Sequence, residues 1–187
     1  MNTVFVPAKT RISVERYQRM VAAGVLTRDD RIELIDGEMI DMAPIGSKHA
    51  AITARLTKIF ILAAGDDAIL SPGGPVNLGD FSEPQPDLLL LRQRADYYSG
   101  KIPEAADVLL IIEVSDTTLR YDQTVKRALY ARHGISDYWV VDVEGRLVQV
   151  YRDPKESIYT QSLVFAQADT LSPLHMPGVQ VSVRSLF

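Results

Sequence analysis

Two carboxylates stand at the ends of the two most apolar runs in this 187-residue chain. Asp87 opens Asp87-Leu88-Leu89-Leu90-Leu91, and Glu113 closes Val108-Leu109-Leu110-Ile111-Ile112-Glu113. Continuous apolar runs this short suit strands buried on both faces. A carboxylate at the end of such a strand is costly unless a charged partner or a metal meets it. Two of them on adjacent strands can converge on one hard cation with oxygen ligands, such as Mg²⁺. Either acid alone reads more simply as a solvated strand terminus. The pair is what suggests chemistry.

Lys126 adds a third element. At about 100° per residue, Asp122, Val125, Lys126, Leu129 and His133 fall within one arc of a helix. Val125 and Leu129 are expected to pack on the sheet, which starts Lys126 on that side. From there its four-carbon stem can carry an ammonium towards the carboxylates. The competing reading is an ordinary i,i+4 pair with Asp122, worth only about 0.2–0.5 kcal/mol.

These residues need a scaffold of strands and helices. Ser13 is expected to cap a short helix running to about Ala23, with Gly24 as its stop. Residues 31–42 read as a hairpin turning at Asp36-Gly37, a dipeptide that tolerates positive φ. Ser47 is expected to cap a longer helix, with Ile52, Leu56, Ile59, Phe60 and Ala63 at helical spacing and Gly65 at its end. The Pro- and Gly-rich stretch 72–86 suggests turns and one short edge strand around Val76. Residues 92–107 are polar and read as a loop, and residues 118–133 as a helix closed by Gly134. A second hairpin is expected at 138–151 around Glu144-Gly145, with short strands in the tail. Strands interleaved with helices make an α/β (α+β) domain with a mixed sheet. With no internal repeat and no linker-like stretch, residues 1–187 are expected to form a single domain.

Composition removes several function classes. The chain has no cysteine, which excludes disulfides, Fe–S clusters, thiolate zinc sites and a cysteine nucleophile. The opening MNTVFVPAKTR lacks the apolar core of a signal peptide, and no run approaches the roughly 20 apolar residues of a membrane span. A soluble, cytoplasmic protein without a membrane partner is the expectation. The net charge of −4 argues against a broadly basic surface, although Arg120, Lys126, Arg127 and Arg132 face a single acid, Asp122, within one short segment. There is no G-x-S-x-G elbow, H-E-x-x-H, Walker loop or Rossmann fingerprint.

The order Pro86-Asp87, Glu113-Val114-Ser115 and then Lys126 on the next helix resembles the PD-(D/E)XK nuclease core. More narrowly, the chain is similar to the Uma-type family of restriction-endonuclease-like proteins. Glu33-Leu34-Ile35-Asp36-Gly37-Glu38, His49, Pro86-Asp87, Ile112-Glu113-Val114-Ser115, Asp122 through Lys126 to Tyr130, Gly134 and Asp137-Tyr138-Trp139-Val140-Val141-Asp142 carry that likeness. It runs from about Ser13 to the terminal Ser185-Leu186-Phe187.

The resemblance implies a restriction-endonuclease-like core, a mixed central sheet flanked by helices, in which Asp87 and Glu113 hold Mg²⁺ or Mn²⁺. Val114 would add a backbone carbonyl, and Lys126 would orient the attacking water or offset charge in the transition state. Glu33 resembles the extra acid that many such nucleases bring from an early element, against the plainer reading of a solvated hairpin residue. His49, in the first turn of its helix, can touch a phosphate or cap that end. Tyr130 can fix Lys126 by packing. The superfamily's simplest pattern puts lysine two residues after the glutamate, where this chain has Ser115; in the Uma-type family the following helix is thought to supply it. The implied activity is metal-dependent hydrolysis of nucleic acid, DNA before RNA, and cutting both strands with one-domain subunits would favour a two-fold homodimer. The rival is a non-catalytic nuclease-fold module that binds nucleic acid or a protein. Trp139 is expected in the core, and His133 and His175 are expected to be structural.

Overall fold

The computed structural model describes residues 9–187. Residues 1–8, which carry most of the opening segment weighed above as a signal peptide, lie outside the described residues. The described residues divide into two compact units, residues 9–42 with 77–84, and residues 43–76 with 85–187.

In the first unit, helix α1 (Val14–Ala22) starts where Ser13 Oγ accepts the Arg16 N–H at 3.2 Å. That bond satisfies one of the amides a helix start leaves open. Val14 and Tyr17 lie one turn apart on the buried face and pack with Leu34, while the Tyr17 hydroxyl donates to the Ile32 carbonyl at 2.7 Å. Strands β1 (Ile32–Ile35) and β2 (Glu38–Asp41) pair antiparallel through Asp36-Gly37, at φ 50° and 81°. Positive φ at both turn residues is the I′ geometry that matches strand twist. Gly37 is doubly constrained, since a Cβ there would come within 2.7 Å of Arg11 Cβ.

The second unit is built on a six-stranded sheet: β3 (Ala68–Pro72), β4 (Leu88–Arg92), β5 (Val108–Ser115), β6 (Asp137–Asp142), β7 (Leu147–Lys155) and β8 (Ile158–Phe165), in that spatial order. Only β5 and β6 pair in parallel; every other neighbour is antiparallel. The mixed sheet flanked by helices expected from the sequence is therefore present. Helix α2 (Ser47–Ala64) buries Ile52, Leu56, Phe60 and Ala64, one apolar stripe at four-residue spacing, in a core that includes Trp139. The link between the parallel strands is a composite helix: α3 (Leu119–Tyr121), a π turn over Asp122–Lys126, and α4 (Arg127–Arg132). A parallel pair requires such a crossover. Short strands β9 (Thr170–Leu171) and β10 (Val181–Ser182) pair antiparallel. Among the described residues, no helix is long and apolar enough to cross a membrane.

Several local expectations are corrected. Gly46, not Ser47, is the N-cap of α2. Val76 lies in no strand; the edge strand is β3, hidden because Ala68-Ile69-Leu70-Ser71-Pro72 is short and ends in proline. Glu113 does not close β5, which runs on to Ser115. The π turn breaks the phase of the simple helix: Val125 does not pack on the sheet but is 40% exposed, while Asp122 and Lys126 are buried.

Candidate active site

The strands bring the two acids together by register. Leu88 on β4 sits opposite Ile112 on β5, so the next step places Asp87 beside Glu113. Asp87 is held from two sides. His49 Nε2, in the first turn of α2, lies 2.9 Å from Oδ1, and the Val114 N–H donates to Oδ2 at 2.8 Å. Its side chain keeps 21% of its surface open to solvent.

Glu113 sits deeper, its side chain 5% exposed, and its Oε1 accepts from both Lys126 Nζ at 2.9 Å and the Tyr130 hydroxyl at 2.8 Å. Lys126 and Tyr130 are four residues apart, so one face of the composite helix presents both donors to one oxygen. Lys126 is thus more than a surface partner of Asp122, and Tyr130 fixes the acid directly.

Sequence reasoning saw Asp122 only as that partner, yet it is a buried member of the cluster. Its Oδ2 accepts from Ser115 Oγ at 2.7 Å and Thr118 Oγ1 at 2.6 Å, while the Tyr138 hydroxyl donates to its backbone carbonyl at 3.0 Å. Burial pushes its carboxyl above the usual carboxylate range; Lys126 and the two hydroxyls oppose this, and the charge of Asp87 adds to it. Ser115, standing where the simplest superfamily pattern has lysine, anchors Asp122. The legible signal was two hydroxyl residues, Ser115 and Thr118, just upstream of an acid one helical turn before Lys126.

The π turn makes this possible. The Arg127 N–H reaches back five residues to the Asp122 carbonyl, so the turn holds one residue more than an α-helix would. Both Asp122 and Lys126 then face inward. Arg127 is half-buried with its guanidinium 5.3 Å from the centre of the Tyr151 ring. Glu33 lies buried on β1 in the first unit. His175 Nε2 lies 2.8 Å from Ser136 Oγ, in keeping with a structural role.

The donor set suits a hard cation. Asp87 stands beside Glu113 by register, Glu113 binds Lys126, and Asp122 feels the charges of both Lys126 and Asp87, so three carboxylates lie close together with one lysine among them. No group of three or more His, Asp or Glu side chains among the described residues forms a ready cage. Mg²⁺ does not require one, since it is commonly held by one or two carboxylates with water and substrate phosphate completing its shell.

The fold resembles a crystal structure of a putative nuclease belonging to DUF820 from Anabaena variabilis, with a TM-score of 0.73 over 94% of this chain and 97% of that one, at 18% sequence identity. At that identity the likeness speaks for the fold. The model of the Uma2 family, described as "Putative restriction endonuclease", matches residues 14–184. The chain belongs to this family. No curated protein matches it significantly.

Proposed function

We propose that this protein is a Mg²⁺-dependent endonuclease that hydrolyses phosphodiester bonds in DNA, acting in the cytoplasm. The observation that carries the reading is the gathering of Asp87, Glu113 and Asp122, with Lys126 on Glu113, at one end of the β4–β5 pair. Carboxyl ends of strands are where open α/β sheets place their ligands. Asp87 and Glu113, with the Val114 carbonyl, would hold the cation; Mn²⁺ should replace it. When bound, the ion polarises a phosphate oxygen and lowers the pKa of a water.

The remaining roles belong to the chain itself. His49 and the Val114 amide orient Asp87. Tyr130 keeps Glu113 in place. Lys126 sets an ammonium where it can hold a water or meet developing negative charge on the phosphate. Asp122, with Ser115 and Thr118, fixes the turn from which Lys126 projects. Support for a polyanionic substrate comes from the first half of α2, where Lys48, Arg55 and Arg146 line a cavity of about 430 Å³ near the turn that carries His49. Glu144 offsets part of that charge, with its Oε1 2.7 Å from Lys48 Nζ.

The test is cleavage of supercoiled plasmid by the purified protein with Mg²⁺, with Mn²⁺ and with chelator, wild type beside Asp87→Asn. Metal-dependent nicking that the substitution abolishes is expected. Salt-sensitive DNA binding without any cleavage would instead support the non-catalytic module, and cleavage that survives Asp87→Asn would remove this site from the reaction.

A further inference from the structure

The two edges of the six-stranded sheet differ in character. At one, β3 has five residues and ends at Pro72 before Gly73-Gly74. At the other, β8 has eight residues, Ile158–Phe165, without proline, glycine or any Asp, Glu, Lys, Arg or His. Among the described residues β7 is its ladder partner. Ile158 and Val164 are each 62% exposed and Leu163 is 43% exposed. Sheet edges are normally blunted by charge or proline because their free amides and carbonyls invite another strand. Nothing along β8 does this.

The hairpin turn decides which backbone groups face outward. β7 and β8 are joined by Glu156-Ser157, with Glu156 at φ 54° and Lys155 paired to Ile158. A two-residue turn closes on a hydrogen-bonded pair, and pairs then alternate along the ladder. Ile158, Ser162 and Val164 therefore bond inward to β7, while the ladder skips the Asp153–Thr160 position, where Asp153 stands at φ 55°. The amides and carbonyls of Tyr159, Gln161, Leu163 and Phe165 point away from it.

We infer that β8 pairs antiparallel with β8 of a second copy of this chain, about a two-fold axis through Gln161, joining two sheets into one. The sequence is self-complementary in that register. Gln161 meets itself, Tyr159 lies opposite Leu163 of the second copy, and Ile158 lies opposite Val164 of the second copy. The exposed apolar side chains thus cover one another, and no like charges meet along the strand. An exchange of backbone bonds between identical edges is the isologous contact that two-fold symmetry requires. The inference is independent of the nuclease reading, because it rests on the opposite edge residues and not on the acids.

Sedimentation velocity over a concentration series, with no nucleic acid present, tests it. Wild type should sediment as a dimer. Val164→Lys, at an exposed position, should weaken association on the order of tenfold or more, since symmetry repeats each lost pair. Gln161→Pro removes an outward amide while sparing the ladder to β7, so it should also give monomer with unchanged far-UV circular dichroism. Because the chain has no cysteine, Gln161→Cys can cross-link only to another copy, and hydrogen-bonded antiparallel pairs at about 5.5 Å between Cα atoms permit a disulfide. Oxidation should yield a covalent dimer. A wild-type monomer throughout the series, a dimer indifferent to Val164→Lys and Gln161→Pro, or a dimer that Gln161→Cys fails to cross-link would each overturn the inference.

Discussion

Two clusters of buried acid sit towards opposite ends of the same sheet, and they are built on different principles. At the start of β6, Asp137 is fully buried and every donor around it is fixed: Arg152 Nε at 2.7 Å and Nη2 at 3.2 Å, the Trp139 indole N–H at 3.0 Å and the Leu174 amide at 2.7 Å. One acid meets one base, in forked geometry. Near the end of β5, Lys126 binds Glu113 and acts on Asp122, while Asp87 is met by His49 and left partly open to solvent. Burial pushes the carboxyls of both Asp137 and Asp122 upward. At each a base pulls back, Lys126 at Asp122 and Arg152 at Asp137, but only at Asp122 does a neighbouring acid push the same way as burial. Burial of charge therefore does not mark a function by itself. The proposed nuclease reading rests instead on imbalance of charge beside an opening.

The contrast can be broken most forcefully at Asp137. Asp137→Ala leaves Arg152 without its partner, and loss of one member of a buried pair costs about 3–5 kcal/mol. Chemical denaturation should show that loss, while cleavage per folded molecule stays at the wild-type level. Lys126→Ala should do the reverse in kind: cleavage falls on the order of 10²–10³-fold, about 2.7–4 kcal/mol of transition-state stabilisation, with DNA affinity little changed. Equal effects on binding and rate would mean that Lys126 only holds substrate.

Asp87→Asn sharpens the comparison through its sign. Removing one acid from an overcrowded cluster should leave metal-free stability unchanged or raised, and it should abolish the increase in Tm that Mg²⁺ gives wild type. At a hundredfold excess over Kd that increase corresponds to about 2.7 kcal/mol. An equal Mg²⁺ shift in both proteins would locate the ion elsewhere.

Asp122 supplies a pH test. Its folded pKa is raised from 3.8, so its contribution to stability is complete below that value and is lost as pH rises through the folded pKa. Asp122→Asn should therefore gain stability relative to wild type as pH climbs from 3.8 towards neutrality, in metal-free buffer. A difference that does not vary with pH would show that Asp122 is not strained by burial. The smallest effect belongs to Arg127→Ala, which removes a cation–π contact with Tyr151 worth about 0.5–1 kcal/mol and should leave cleavage intact.

Much of this was legible beforehand, for physical reasons that differ from place to place. Leu88-Leu89-Leu90-Leu91 and the run ending at Ile112 announced themselves as central strands because nothing polar interrupts them. Asp36-Gly37 declared its hairpin through the φ angles that only a few residues accept. Pairing of Asp87 with Glu113 followed once the two strands were neighbours. What escaped was governed by geometry that periodicity does not encode. A helical wheel at 100° per residue cannot foresee a π turn, so it turns Val125 inward. Asp122 was missed as a cluster member because its meaning depends on Ser115 and Thr118, hydroxyls brought to it by the chain leaving β5. The β3 edge was obscured by a proline that is tolerated only because it ends the strand.

The π turn over Asp122–Lys126 also sets a rule for length variation in this segment. A helix with one surplus residue stores its alignment in the residue count, not in any single side chain. Deleting one of Gln123, Thr124 or Val125 would let the turn relax to ordinary α-helix and swing one flank about 100° relative to the other. Lys126 and Tyr130 could then remain over Glu113 only if Asp122 left Ser115. The exposed Val125, which looks dispensable by every measure of contact, is thus a spacer, and the segment should accept substitution there far more readily than it accepts a gap.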